Sequence, residues 1–508
     1  LTGGNGGSID LSSSQAAKVI DTSSPTSSGG NVNVVALADA FGLKGEVKLN
    51  SGANLGEINS SGAGAGGGGN VTIYAGSSFL GLITSINTNK IVTVSNGTSN
   101  SGNVTLQTTQ AVTSDSQPLV LNAQGSITSG NTIQAGATLA QAGIKTGMID
   151  THISGGAAAG GNVNLKAYGN IDTSAGVIYT INNGVGASGE INLTSSNGAV
   201  STAGIYSFVY SGWLAASNVT ISAYGDITTN SESIYTFQGG SGVGGTIDLR
   251  SSNGNISTGL IVTGVGDATA AGNVIMSAYG SISALSIFAF NAGTGAGGSV
   301  ALTSSNSSVS TGSIATNTNL GLLAAGNVSI SAFDGITTLG AINASNSGTG
   351  SGGNVTLLTQ GAITTSDINT SSAGFMGGAI TVAAKGDNGI YSIAMGNLNS
   401  SGSAAAGSVE IVSTDLLEKS TLIGNITAQA SGQNGVGGAV GIATRGTLAI
   451  GKIDTINTST STISGAQSGS VFLSSGSTAA GAINAGSITA YNSANGSATG
   501  QVILIASG

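Results

Sequence analysis

Gly161-Asn162-Val163-Asn164-Leu165 returns as Gly189-Glu190-Ile191-Asn192-Leu193, as Ser217-Asn218-Val219-Thr220-Ile221 and as Gly245-Thr246-Ile247-Asp248-Leu249. Later copies include Gly272-Asn273-Val274, Gly326-Asn327-Val328-Ser329-Ile330 and Gly353-Asn354-Val355-Thr356-Leu357. A phrase restarting about every 28 residues marks a stacked repeat, because each unit is too small to bury its own apolar face. Apolar residues alternate within the phrase, which is the period of a strand and not of a helix. The chain reads as an all-β protein, a β-solenoid.

The phrase begins at residues 7, 30, 69, 102, 117 and 161, then at steps of 25 to 28 residues to 378, and later at 407, 438, 469 and 500. This predicts about 18 turns in one continuous solenoid over 1–508. Its turns are irregular over 1–160, regular over 161–378 and longer over 379–508. The turn from Ser217 to Gly244 shows three short strands: Val219-Thr220-Ile221, Asp226-Ile227-Thr228 and Ser233-Ile234-Tyr235-Thr236-Phe237. Gly239-Gly240-Ser241-Gly242-Val243-Gly244 then leads back to the start, with glycine expected for left-handed and close-packed backbone. Val219 and Ile221 point inward, so Asn218 and Thr220 point outward or into the corner. Eighteen turns at ~4.8 Å each give a rod of roughly 85 Å.

A second period overlies the first. Lys166-Ala167-Tyr168-Gly169, Ser222-Ala223-Tyr224-Gly225, Ser277-Ala278-Tyr279-Gly280 and Ser331-Ala332-Phe333-Asp334 alternate with Ser195-Ser196-Asn197-Gly198, Ser251-Ser252-Asn253-Gly254 and Ser304-Ser305-Asn306-Ser307. The aromatic at one corner is expected to face an Asn-Gly turn of the next coil. Duplication of a two-turn unit with corner packing accounts for this; a stacking platform for sugars is the functional alternative.

Composition narrows the function. There are 87 glycines, 2 prolines, no cysteine and only 6% charged residues, yet 39% are hydrophobic, which argues for order. Much of that apolar content is Val, Ile and Leu at alternating positions, as packed strands require. A net charge of −9 with 11 scattered Lys and Arg argues against a nucleic-acid partner. No apolar run is long enough to span a bilayer. Leu1-Thr2-Gly3-Gly4 carries neither an initiator Met nor a signal segment, so a mature or excised piece of a longer precursor is expected. Absence of cysteine fits bacterial surface fibres that cross a membrane unfolded.

These turns, with Gly352-Gly353-Asn354-Val355-Thr356-Leu357 followed by Gly361-Ala362-Ile363-Thr364-Thr365, resemble the repeats of filamentous-haemagglutinin-like bacterial exoproteins. The likeness covers nearly the whole chain and is one of repeat style. It implies a right-handed parallel β-helix, export to the bacterial cell surface, and a role in adhesion or fibre formation. It carries over no catalytic residue. The NPNG-type signature of the family's secretion domain has no counterpart here, as no Asn-Pro dipeptide occurs.

Some parallel β-helices degrade polysaccharides with converging carboxylates on one face. Asp248 and Arg250 share an outward face, but Glu190, Asn192 and Ile275 do not extend a cluster. Asp415, Glu418 and Lys419 read as a solvated loop. Asp150 and His152 could share a face, without a third ligand or a nucleophile. Gly3-Gly4-Asn5-Gly6-Gly7-Ser8 and the loop at 239–244 lack the aspartate of calcium-binding glycine repeats. No cofactor, metal or catalytic residue is therefore assigned. Asn-x-Ser/Thr at Asn70, Asn218 and Asn354 falls out of the repeat and reads as a hydrogen-bonded ladder up the stack.

The leading expectation is an extracellular bacterial structural protein that forms or extends surface fibres. It does so by head-to-tail association with itself, without membrane insertion. Phe472 and Ile503 occupy the outward slot that holds Thr220 or Asp248 earlier, and exposed apolar residues mark contact surfaces. Val502 and Leu504 are expected to pack on Ile9 and Leu11 of a neighbouring copy. An adhesin stalk binding glycans, with its binding part in the irregular segment 75–160, is the alternative. A polysaccharide-degrading β-helix is the third reading.

Overall fold

In the computed structural model the described residues are 8–12, 18–36, 45–50, 56–63, 65–75, 86–108, 143–266, 270–385, 391–414, 419–432, 435–457, 467–478, 481–492 and 499–506, with short strands between 112 and 135. The chain forms two compact units, Leu1–Gly259 and Leu260–Gly508. Both are parallel β-solenoid, without helix among the described residues.

A typical turn has a five-residue first strand, then two shorter ones, which merge into one seven-residue strand at Ile256–Val262, Ile282–Phe288, Leu448–Asp454 and Ile483–Thr489, and the same slot pairs with the same slot of the next turn. In the first unit Val163–Ala167, Ile191–Ser195, Val219–Ala223 and Ile247–Ser251 stack in parallel and without a shift in register. Identical spacing places like residues on like: Leu165, Leu193, Ile221 and Leu249 form one inward column. In the second unit Leu302, Ile330, Leu357, Val382 and Ile411 do the same. Ile221, Leu249, Ile330 and Leu357 are each 0% exposed, as the alternation demands. Each such side chain contributes about 1.5–3 kcal/mol of burial only because the turns above and below cover it.

The count of turns is lower than the sequence suggests, about 12 regular ones about 28 residues apart plus irregular ones before them. The start expected at 117 lies outside the described residues. The strand that pairs with Val104–Thr108 is Val163–Ala167, and the segment between carries antiparallel pairs, Val112–Thr113 with Gln134–Ala135 and Val120–Leu121 with Val120's partner Thr128 in Ile127–Thr128. The strand that follows residue 7 is not a first strand, because Ile9–Asp10 pairs with the second strand Val47–Lys48.

Glycine at the head of the phrase answers to space and not to handedness. Positive φ among the described glycines is confined to Gly45, Gly56, Gly156 and Gly481, so the corner glycines 239–245 are not left-handed. A Cβ on Gly189 would strike the carbonyl oxygen of Gly161, and one on Gly326 that of Gly298. A buried threonine closes the turn over this close approach. Thr316 Oγ1 donates to Gly326 O at 2.6 Å while Gly326 N donates to Thr316 O at 2.9 Å. Thr236 with Gly245 and Thr370 with Gly378 repeat the reciprocal pair.

The next residue of the phrase forms the expected ladder, as side chain to backbone. Asn70 Oδ1 accepts from Asn103 N at 2.9 Å, Asn218 Oδ1 from Thr246 N at 2.9 Å, and Asn354 Oδ1 from Ala379 N at 2.8 Å. The alternating corners also meet as expected: Asn197 N donates to Tyr168 O, Asn253 N to Tyr224 O and Asn306 N to Tyr279 O.

Candidate functional site

Two surfaces depart from the sealed pattern. The first is an apolar patch on the paired strands Val471–Ser475 and Val502–Ala506. Val502–Ala506 pairs in register with Val471–Ser475 and so extends the first-strand column. Val471 and Leu473 are 1% and 0% exposed, whereas Val502 and Leu504 are 46% and 54% exposed. The strand Ile483–Thr489 fills the second and third slots one turn earlier, along Leu448–Asp454, with Ile483 and Ile488 half-buried.

Ile9–Asp10 fills the second slot beside Val47–Lys48, and Lys18–Asp21 fills the third beside Glu57–Asn59. The first-strand ladder starts at Val32–Ala36 among the described residues. Phe472, Val502, Ile503 and Leu504 thus lie on two paired strands and are all exposed. Ile9 and Leu11 differ from expectation: they belong to a second-strand column, with Ile9 against Val47 and Leu11 hydrogen-bonded to Lys48 O. They cannot continue the column of Val502 and Leu504, which belongs to another face.

The second surface is an aromatic strip on the third strands of the first unit. Ile149, Ile178, Ile205 and Ile234 align inward at 0% exposure, and this turns Asp150, Tyr179, Tyr206 and Tyr235 outward in one row. Tyr206 stacks on Tyr179 at 5.5 Å and 22°, and on Tyr235 at 5.4 Å and 11°. Phe208 meets Tyr206, Tyr235, Tyr210 and Phe237 edge-on at 5.6 to 6.5 Å. Beyond them Tyr210 and Trp213 are 60% and 76% exposed. Burial, then neighbouring Tyr179, Glu232 and Tyr235, raise the Tyr206 pKa above its ordinary value, so this hydroxyl keeps its proton at neutral pH.

Asp150 and His152 do share a face at one edge of the strip. His152 Nδ1 lies 2.7 Å from Asp150 Oδ1, which also accepts from His152 N at 3.1 Å. Among the described residues no three His, Cys, Asp or Glu gather as metal ligands. Stacking and hydrogen bonding are the chemistry this strip offers. The sequence reading passed over it, although Ile-Tyr recurs at 178, 205 and 234 and a scan for repeated aromatics at the turn period would have found it.

Asp248 and Arg250 form a closed pair, with Arg250 Nε and Nη2 each 2.9 Å from the carboxylate. Of the loop at Asp415, Glu418 and Lys419, residues 415–418 lie outside the described residues, as do 76–85 and most of 109–142 in the segment 75–160. Corner Phe333 lines an open groove of about 540 Å³ with Leu358, Gln360 and Lys385, whose Nζ donates to Gln360 Oε1 at 2.9 Å. No protein family, curated protein or solved structure matches this chain.

Proposed function

We propose that the protein is a structural element of an extracellular bacterial fibre and that copies join head to tail. The carrying observation is the outward apolar pair Phe472 and Ile503, 39% and 44% exposed and aligned on two paired strands. Joined, the strand Val502–Ala506 of one copy pairs with Val32–Ala36 of the next, Val502 over Val32 and Leu504 over Val34. The strand Ile483–Thr489 meets Ile9–Asp10 and Lys18–Asp21, Ile483 over Ile9 and Ile488 over Ile20. This is strand addition at both edges, with backbone pairing for affinity and apolar columns for register. The contact is heterologous and does not close, so it propagates. The filamentous-haemagglutinin-like style of repeat and the lack of cysteine support the cell-surface setting.

Electron microscopy of purified 1–508 tests it. Continuous filaments are expected, and short rods after deletion of 500–508. Long fibres from the deleted chain, or a monodisperse monomer from the intact chain at high concentration, would overturn the proposal.

The aromatic strip favours a second reading, an adhesive stalk whose exposed Trp213 and Tyr210 stack against sugar rings. Binding to neutral oligosaccharides that is lost in Trp213→Ala with Tyr210→Ala, in a chain that stays monomeric, would put this reading first.

A further inference from the structure

We propose that the second unit also pairs side by side with a second copy of itself, about a two-fold axis, through the corner that follows its third strands. Successive corner turns stack directly on one another here. Leu322 N donates to Thr294 O, Gly350 N to Gly321 O, and Ala404 N to Phe375 O, each at 2.9 Å. Along this stack bulky and small turns alternate. Gly293-Thr294-Gly295 is followed by Leu320-Gly321-Leu322-Leu323, then by Gly348-Thr349-Gly350, then by Gly374-Phe375-Met376. Leu320, Leu322 and Leu323 are 63%, 65% and 55% exposed, and Phe375 and Met376 are 47% and 46% exposed. The corner is a ridge with gaps, its knobs two turns or about 10 Å apart.

That spacing says what covers it. A two-fold axis perpendicular to the stack, half a turn from Leu322 toward Thr349, lays two copies antiparallel. Leu322 and Leu323 of each then fall on the glycine-floored gap at Thr349, and Phe375 and Met376 on the gap at Thr294. All four knobs are seated and the contact closes on itself, as an isologous dimer requires. Charge selects the same occupant. From 291 to 384 the only ionisable side chains of acid or base are Asp334 and Asp367, in a chain of net charge −9. A like copy therefore approaches this face without the repulsion it would meet elsewhere, and a charged partner finds nothing to pair with. The proposal is independent of end-to-end joining.

The chain has no cysteine, so engineered cross-links report the geometry directly. Chains carrying Leu322→Cys, mixed with chains carrying Thr349→Cys, should oxidise to a covalent dimer on a denaturing gel whether or not filaments form; with one cysteine per chain, the stacked turns of a single copy cannot be joined to each other. Phe375→Cys alone should not, because the axis holds the two copies of that position three turns, about 14 Å, apart, beyond disulfide reach. Leu323→Asp with Phe375→Asp, at exposed positions that folding tolerates, should weaken dimerisation at least tenfold in sedimentation equilibrium with unchanged circular dichroism. No cross-link in the Leu322/Thr349 pair, equal cross-linking of the Phe375 variant, or dimerisation indifferent to the aspartates would each overturn the proposal.

Discussion

Gly326→Ala should destabilise the second unit although it adds a single methyl group. The new Cβ would meet Gly298 O, Gly298 C and Gly297 C, all backbone, so no flexible side chain can move aside. Overpacking of this kind costs about 1–3 kcal/mol. If the strand retreats to make room, the Thr316 hydroxyl loses Gly326 O and is left buried, for about 1–3 kcal/mol more. Alanine returns about 0.4–1 kcal/mol through the unfolded chain, leaving a net loss between about 1 and 5.6 kcal/mol, the middle of that range being about 2–4 kcal/mol. Native Ser217 shows what tolerating a side chain here takes. Its hydroxyl donates to Ser188 O and its amide to Ser188 Oγ, whereas Gly297 stands in the place of Ser188 beneath Gly326. Stability in a stacked repeat is local, so hydrogen exchange at Val328–Ala332 is the assay, and opening should rise roughly 30- to 1,000-fold. Gly441→Ala is the control: a Cβ there meets nothing within 4 Å, and the change should be neutral or slightly stabilising. Equal behaviour of the two variants would refute the close-approach account of the repeat's glycine.

Ile221→Asn places an amide between Leu193 and Leu249 and should cost at least ~2 kcal/mol, while Thr220→Asn on the outward side should stay within about 0.5 kcal/mol; urea denaturation of both checks the register. Asp21 accepts from the Ser23 hydroxyl at 2.6 Å, the Ser23 amide at 3.0 Å and Lys18 Nζ at 3.0 Å, which lower its pKa to about 2. A depressed carboxylate stabilises the fold above its ordinary range and ceases to as pH falls through about 2, so exchange protection of Lys18–Asp21 should fade between about pH 4 and 2 in the native chain but not in Asp21→Asn. EDTA should leave the thermal unfolding temperature unchanged; a drop of several degrees would reveal a structural cation. Leu504→Lys should abolish filaments seen by electron microscopy without altering the rods themselves.

The inward columns were legible because one strand fixes a face: Val219 and Ile221 alternate with Asn218 and Thr220, and a slip of one residue would bury the wrong set. The aromatic corners were legible for a related reason, since Tyr168, Tyr224 and Tyr279 recur with the repeat. Slot identity was not. Ile9-Asp10-Leu11 has the same alternation as a first strand, and nothing within three residues says that it lies beside Val47–Lys48; only its pairing across the turn does. Of the two properties expected of the glycine, left-handed backbone and close packing, only the second holds at the head of the phrase. Left-handed backbone and close approach leave the same letter in the sequence, and Gly245 is chosen by the carbonyl of Ser217 beneath it and not by its own φ. The surfaces proposed to bear on function lie where the repeat tolerates variation. Tyr206, Trp213, Leu322 and Phe375 all point away from the columns, so the period that fixes the core leaves them free to differ from turn to turn. In a stacked repeat the sequence period specifies the scaffold, and what the scaffold contacts is written in the departures from it.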